Sequence, residues 1–211
     1  MHKVLVCIAG IWPWAAAADE VVIAALGDSL TQGYGLVAEQ GFVPQLQDWL
    51  GAKGAQVRLI NAGVSGDTTA GGLSRAAWTL TPEVDAMIVT LGGNDLLRGI
   101  APDVSRANLE GIMQAAAAAD VEVLLVGMQA PGNYGPEYKA AFDGMYPALA
   151  EEFSALHAPS FFEGLDVAGG DPASVRAFMQ PDGIHPNAEG VVQIVAALGP
   201  YVLELIDRAQ E

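Results

Sequence analysis

Apolar residues along this chain fall into short unbroken runs, separated by longer segments in which they recur every three or four positions. The runs at 21–26, 56–61, 86–91, 121–127 and 159–162 predict strands, and the segments at 42–51, 69–79, 104–119, 137–153 and 187–208 predict helices. Within VVIAAL, AMIVTL and VEVLLVG the apolar positions are continuous and do not alternate. A strand that is apolar on both faces is covered on both faces, as in a parallel sheet held between two layers of helices. Regular strand–helix alternation therefore predicts an α/β chain folded as a three-layer α/β/α domain. No linker or repeat interrupts the pattern, and the alanine run at 115–119 is ordinary helix, so 19–211 reads as one domain.

Open parallel sheets bind ligands beyond the carboxyl ends of their strands. The residues just after each apolar run are therefore the informative ones. Gly27-Asp28-Ser29-Leu30 follows the first run, and Asn61 through Thr69 the second. Gly92-Gly93-Asn94-Asp95 follows the third, and Gln129 through Tyr134 the fourth. Glycine and polar residues thus gather along one edge of the predicted sheet.

Residues 1–18 have a different character. A short start containing Lys3 leads into an apolar run over 4–14, Pro13 interrupts it, and Ala15 to Ala18 supply the small residues of a cleavage site. This is the pattern of a secretory signal peptide cut after Ala18, which implies a periplasmic or secreted protein. Cys7, the single cysteine, lies inside that segment and too early for a lipoprotein signal, so no disulfide framework or cysteine-rich metal site is expected. The whole chain of 211 residues carries nine Lys and Arg against 25 Asp and Glu; without Lys3 the balance is 8 − 25 = −17. Such a charge repels phosphate backbones and anionic headgroups and argues against a nucleic-acid partner. No uninterrupted apolar run reaches the roughly 18 residues that span a bilayer, so stable membrane insertion is not expected.

Beyond residue 18 there are two histidines, His157 and His185. His157 has no carboxylate nearby in sequence and reads as a surface or boundary residue. His185 lies in Asp182-Gly183-Ile184-His185-Pro186, where Pro186 keeps it out of helical geometry just ahead of the last helix. A serine hydroxyl becomes a useful nucleophile only beside a base, and the base needs an orienting partner. Ser29, His185 and Asp182 fill those roles if the last loop folds back onto the end of the first strand. The backbone N–H of Ser29, that of Gly66 and the side-chain amide of Asn94 could then receive an oxyanion. Each feature alone has a simpler reading: Asp28 or Ser29 as a helix cap, Gly66 as a turn glycine, Asn94-Asp95 as a turn. Their conjunction is what points to chemistry.

That conjunction resembles the SGNH hydrolase superfamily. Gly27-Asp28-Ser29-Leu30 is similar to its GDSL block, Gly66 in Ser65-Gly66-Asp67-Thr68 to its glycine block, Gly92-Gly93-Asn94-Asp95 to its GxND block, and Asp182-Gly183-Ile184-His185 to its DxxH block. All four occur in the family's order. The stretches GGNDLLRG and DGIHPN further resemble the bacterial branch of arylesterases, thioesterases and lysophospholipases. The resemblance implies a flavodoxin-like five-stranded parallel sheet, Ser29 as nucleophile, His185 as general base, Asp182 orienting it, and an oxyanion hole from Ser29, Gly66 and Asn94. It implies a serine esterase that cleaves small-molecule or lipid esters through an acyl-enzyme, without metal or cofactor. The loops carrying Leu96, Leu97, Ile100, Pro131 and Tyr134 would line the acyl pocket. A carbohydrate O-acetyl esterase on the same fold and a non-catalytic periplasmic binding module are the alternatives. A nucleotide or flavin binder is disfavoured because no GxGxxG follows the first strand and no phosphate-binding GxxxxGK[ST] occurs. An α/β-hydrolase is disfavoured by the lack of G-x-S-x-G. If a neutral imidazole is the base, activity rises over about pH 6 to 7.

Overall fold

The computed structural model describes residues 20–165 and 175–211, so the signal-peptide segment lies outside the described residues. Among the described residues there are five strands: β1 Val21–Gly27, β2 Val57–Gly63, β3 Ala86–Thr90, β4 Glu122–Val126 and β5 Leu156–Ala158. All pair in parallel, in the order β2-β1-β3-β4-β5. The helices are α1 Ser29–Gln32, α2 Phe42–Ala52, α3 Thr69–Thr79, α4 Gly93–Leu97, α5 Pro102–Ala118, α6 Pro136–Glu152 and α7 Ala188–Ala209.

Every residue of β1 and β3 is buried. This is possible only with a layer on each face, as their unbroken apolar runs require. One layer pairs α2 with α7; the other is the row α3, α5 and α6. The α/β class and the five-stranded parallel sheet expected from the sequence are what is found. β2 is an edge strand, and of its residues only Val57 is fully buried.

The fifth strand differs from expectation. The run at 159–162 follows β5 and is not itself a strand. Its apolar character serves core packing from a turn: Phe161 is fully buried, its ring edge-on to Phe42 at 5.2 Å, and its N–H donates to the Gly127 carbonyl. A second difference concerns α7. Its 22 residues include a window of mean hydropathy 1.5, so by length and composition it could cross a membrane. Half of that window is buried in the protein. Val191, Ile194, Val195, Leu198, Val202 and Leu205 face inward at helical spacing, which makes α7 a core helix.

From β1 the chain moves outward to β2 and then returns across β1 to β3. The carboxyl ends of β1 and β3 therefore flank a topological switch point, where such sheets leave a crevice. Two short helices absent from the periodic pattern, α1 and α4, start at that crevice. Gly63 at the end of β2 permits the close approach of α1, since a Cβ there would strike the Gln32 backbone. Ser29, the first residue of α1, is thereby fixed at the sheet edge.

Candidate active site

Ser29 and His185 are 156 residues apart in sequence, and the fold brings them together. Ser29 Oγ lies 2.9 Å from His185 Nε2, and His185 Nδ1 lies 2.7 Å from Asp182 Oδ2. The other carboxylate oxygen of Asp182 accepts the backbone N–H groups of Ile184 and His185. The hydrogen bond from His185, followed by these two backbone bonds, holds the Asp182 carboxyl well below its ordinary range, at about 2. An ionised carboxylate only accepts, so the proton on His185 resides on Nδ1. Nε2 is left with a lone pair facing the Ser29 hydroxyl.

The histidine loop is tied to the serine helix by Gln180. Its side-chain amide donates to the carbonyls of Tyr34, at 2.8 Å, and Pro186, at 2.9 Å. Its backbone N–H donates to the His185 carbonyl, and its own carbonyl receives Gly183 N–H. Tyr34 in turn donates its N–H to the Ser29 carbonyl and lays its ring against that of His185 at 4.7 Å. One side chain thus bridges the two segments that carry the nucleophile and its neighbour.

The Gly66 loop is held from beneath. Arg75 donates to Asp67 at 2.7 Å, to the Ala62 carbonyl at 2.6 Å and to the Gly27 carbonyl at 2.7 Å, joining the loop to the ends of β1 and β2. Gly66 has φ of +84°, a conformation that suits glycine, and Arg98 donates to its carbonyl at 2.8 Å. On the far side, buried Asp95 accepts the N–H and hydroxyl of Thr69 and the hydroxyl of Ser105, locking α4 to α3 and α5.

Asp28 and Asn94 face each other across the switch point. Asp28 is 1% exposed; its Oδ1 accepts Leu30 N–H at 3.0 Å and its Oδ2 accepts Asn94 Nδ2–H at 3.1 Å. Burial raises its carboxyl from 3.8 to about 6, although the Leu30 N–H, the Asn94 amide and His185 pull the other way. Because the folded value lies above the unfolded one, the protein binds this proton more tightly than the open chain does. The stability associated with it is complete below about pH 4 and is lost as pH rises through about 6, a cost on the order of 3 kcal/mol at neutral pH. Asp28→Asn is therefore expected to stabilise the protein above pH 7 by up to about 3 kcal/mol, the gain shrinking toward zero near pH 4. Urea unfolding across that range measures it, and a gain that does not change with pH would remove the buried charge as its cause.

Asp28, Ser29, Gly66, Asn94, Asp182 and His185 all line one cavity of about 510 Å³. Leu96 and Leu97 line it as well. Ile100, Pro131 and Tyr134 are not among its lining residues, contrary to expectation. After Leu97 the chain reverses through Gly99, and Ile100 donates its N–H back to the Asp95 carbonyl while its own carbonyl receives the Tyr138 hydroxyl. Pro131 opens a short 3₁₀ turn, and the Tyr134 ring covers Gly99 and packs on Tyr138 at 4.9 Å. The rest of the apolar wall is Leu30, Met128, Phe162 and Ile184, joined by the Tyr34 ring. Met128 could have been found as a residue following the fourth apolar run, whereas Phe162 was hidden by assignment to a strand. His157 is half-buried on β5, away from this cavity, and burial lowers its pKa.

A model of the GDSL-like lipase/acylhydrolase family matches residues 25–191. Esterase TesA of Pseudomonas aeruginosa is 41% identical over 192 residues, covering 90% of this chain and 91% of that protein. Thioesterase 1/protease 1/lysophospholipase L1 of Escherichia coli K12 is 39% identical over 176 residues, covering 83% of this chain and 79% of that protein. Among solved structures, the psychrotrophic esterase EstA from Pseudoalteromonas sp., inhibited by monoethylphosphonate, superposes with a TM-score of 0.80 at 30% identity, covering 89% of this chain and all of that one.

Proposed function

This chain belongs to the GDSL-like lipase/acylhydrolase family, and from that premise we propose that Ser29, His185 and Asp182 cleave carboxylic esters through an acyl-enzyme formed on Ser29. The protein is a carboxylic ester hydrolase of the esterase and thioesterase kind. The observation that carries the residue assignment is the unbroken relay from Ser29 Oγ through His185 to Asp182 at the wall of a largely apolar cavity.

In this reading Nε2 of His185 takes the hydroxyl proton as Ser29 Oγ attacks the ester carbonyl carbon. The carbonyl oxygen becomes an oxyanion facing the N–H groups of Ser29 and Gly66 and the amide of Asn94. Such donors act most strongly where charge develops, and removal of one costs roughly 10²- to 10³-fold in kcat. Collapse expels the alcohol or thiol with the proton from His185, leaving an acyl group on Ser29. Water, deprotonated by the same imidazole, then attacks that acyl carbon, and the carboxylic acid leaves as Ser29 regains its proton.

The wall of Leu30, Leu96, Leu97, Met128, Phe162 and Ile184 supports an acyl chain longer than acetyl as the group that enters. Leu97, Tyr34 and Ile184 are 58%, 50% and 44% exposed at this site, apolar surface that a bound chain would cover. Each methylene removed from water can contribute up to about 0.8 kcal/mol, close to fourfold in kcat/KM. On p-nitrophenyl acetate, butyrate and octanoate, kcat/KM is expected to climb with chain length. A preference for acetate, together with release of acetate from an acetylated sugar, would instead favour the carbohydrate O-acetyl esterase. Residues 1–18 are read as an export signal and 19–211 as a single catalytic domain, on the support of the charge and small-residue pattern of that segment.

A further inference from the structure

Asp28 lies next to the nucleophile yet has no part in the proton relay. Its carboxylate is nearly sealed from solvent and is fixed at both oxygens, one by the Leu30 N–H and the other by the Asn94 amide. Burying a charge this deeply is costly, and the two groups that hold it are neutral donors. The geometry points to Asp28 as a positioning residue that selects which end of the Asn94 amide faces the reacting carbonyl. This inference rests on the oxyanion role assigned to Asn94 above.

The argument turns on the near-symmetry of a carboxamide. Asn94 can present either its NH₂ or its oxygen at a given place, and the two shapes are almost identical. A carboxylate at 28 can only accept, so it faces Nδ2 and takes one of its two N–H bonds. The second N–H of that nitrogen is then available to the cavity, whose wall Asn94 forms with Ser29 and Gly66. Were a donor placed at 28, the amide would turn over and offer a lone pair where the oxyanion forms. Replacing Asp28 by asparagine does this, because the new Oδ1 keeps capping Leu30 while its Nδ2 points at Asn94.

The test is a double-mutant cycle on p-nitrophenyl butyrate using Asp28→Asn, Asn94→Ala and the pair, with kcat and KM measured separately and unfolding followed in urea. Asn94→Ala is expected to lower kcat by roughly 10²- to 10³-fold with KM little changed, since the lost bond is made in the transition state. Asp28→Asn should lower kcat by up to the same factor, while the pair should lose no more than Asn94→Ala alone. A residue that merely supports the fold would instead lower stability and multiply its loss onto that of Asn94→Ala. Asp28→Ser, whose hydroxyl can still cap Leu30 but leaves the Asn94 amide without its carboxylate, is taken through the same cycle as a second variant. If Asn94→Ala is impaired but the change at 28 leaves kcat intact, or the losses multiply, the positioning role is overturned and the donor set stands. If Asn94→Ala is itself fully active, the donor set falls, and this inference with it.

Discussion

Ser29→Ala should abolish ester turnover, with kcat falling on the order of 10⁶-fold, and His185→Ala should do the same. The size follows from the geometry: Ser29 Oγ and His185 Nε2 share one hydrogen bond at 2.9 Å, so removing either leaves the other with no function in the reaction. The double variant should therefore be no worse than either single one. What survives in each is the contribution of the oxyanion donors and of substrate binding, some 10³- to 10⁴-fold above the reaction in water. Stability should change little with Ser29→Ala, because the hydroxyl contributes one hydrogen bond worth about 1 kcal/mol. Labelling by a fluorophosphonate, which needs the activated serine, should vanish in Ser29→Ala. Turnover equal to that of the unsubstituted protein would show that another group attacks the carbonyl and would end the proposed mechanism.

Much of this site was legible because it lies on the parts of the chain that pattern best. β1 and β3 are unbroken apolar runs, and the rule that ligands gather at strand ends leads directly to Ser29 and Asn94. His185 was legible by elimination among two histidines and by its proline and carboxylate neighbours. β5 was not: three residues with a histidine at the centre give neither a run nor an alternation, while the adjacent Phe161 and Phe162 imitate a strand. The pocket wall was half legible. Leu96 and Leu97 lie within α4, which begins three residues after the last residue of β3, whereas Ile100 is drawn aside by a backbone bond to Asp95 that no local pattern announces. Gln180 and Arg75 carry no sequence signal for the same reason. Their roles consist of bonds to backbone carbonyls far away in sequence, and a carbonyl carries no residue identity to read.

Asp182→Asn is expected to lower kcat by roughly 10⁴-fold, less than the loss of Ser29 or His185, and to do so without moving the histidine loop. The carboxylate at 182 has two tasks. Its Oδ1 accepts the N–H groups of Ile184 and His185, bonds an asparagine oxygen can also accept, so the turn persists. Its Oδ2 accepts from Nδ1 of His185 at 2.7 Å, and here asparagine differs, because its NH₂ donates and favours the imidazole with the proton on Nε2. That tautomer has no lone pair for the Ser29 hydroxyl. With its carboxyl held at about 2, against an ordinary 3.8, Asp182 contributes stability present above about pH 4 and withdrawn as pH falls through about 2. It stays ionised wherever the enzyme is folded near neutrality, so its titration does not shape activity between pH 5 and 8. Loss of activity on the acid side of neutrality must then come from other groups, and Asp182→Asn should lower the whole profile over that range rather than only one limb. Measuring kcat from pH 5 to 9 in both proteins tests this. A loss under tenfold would mean that the Tyr34 ring and the Gln180 clasp are enough to hold His185 in its working orientation, and that the carboxylate is dispensable.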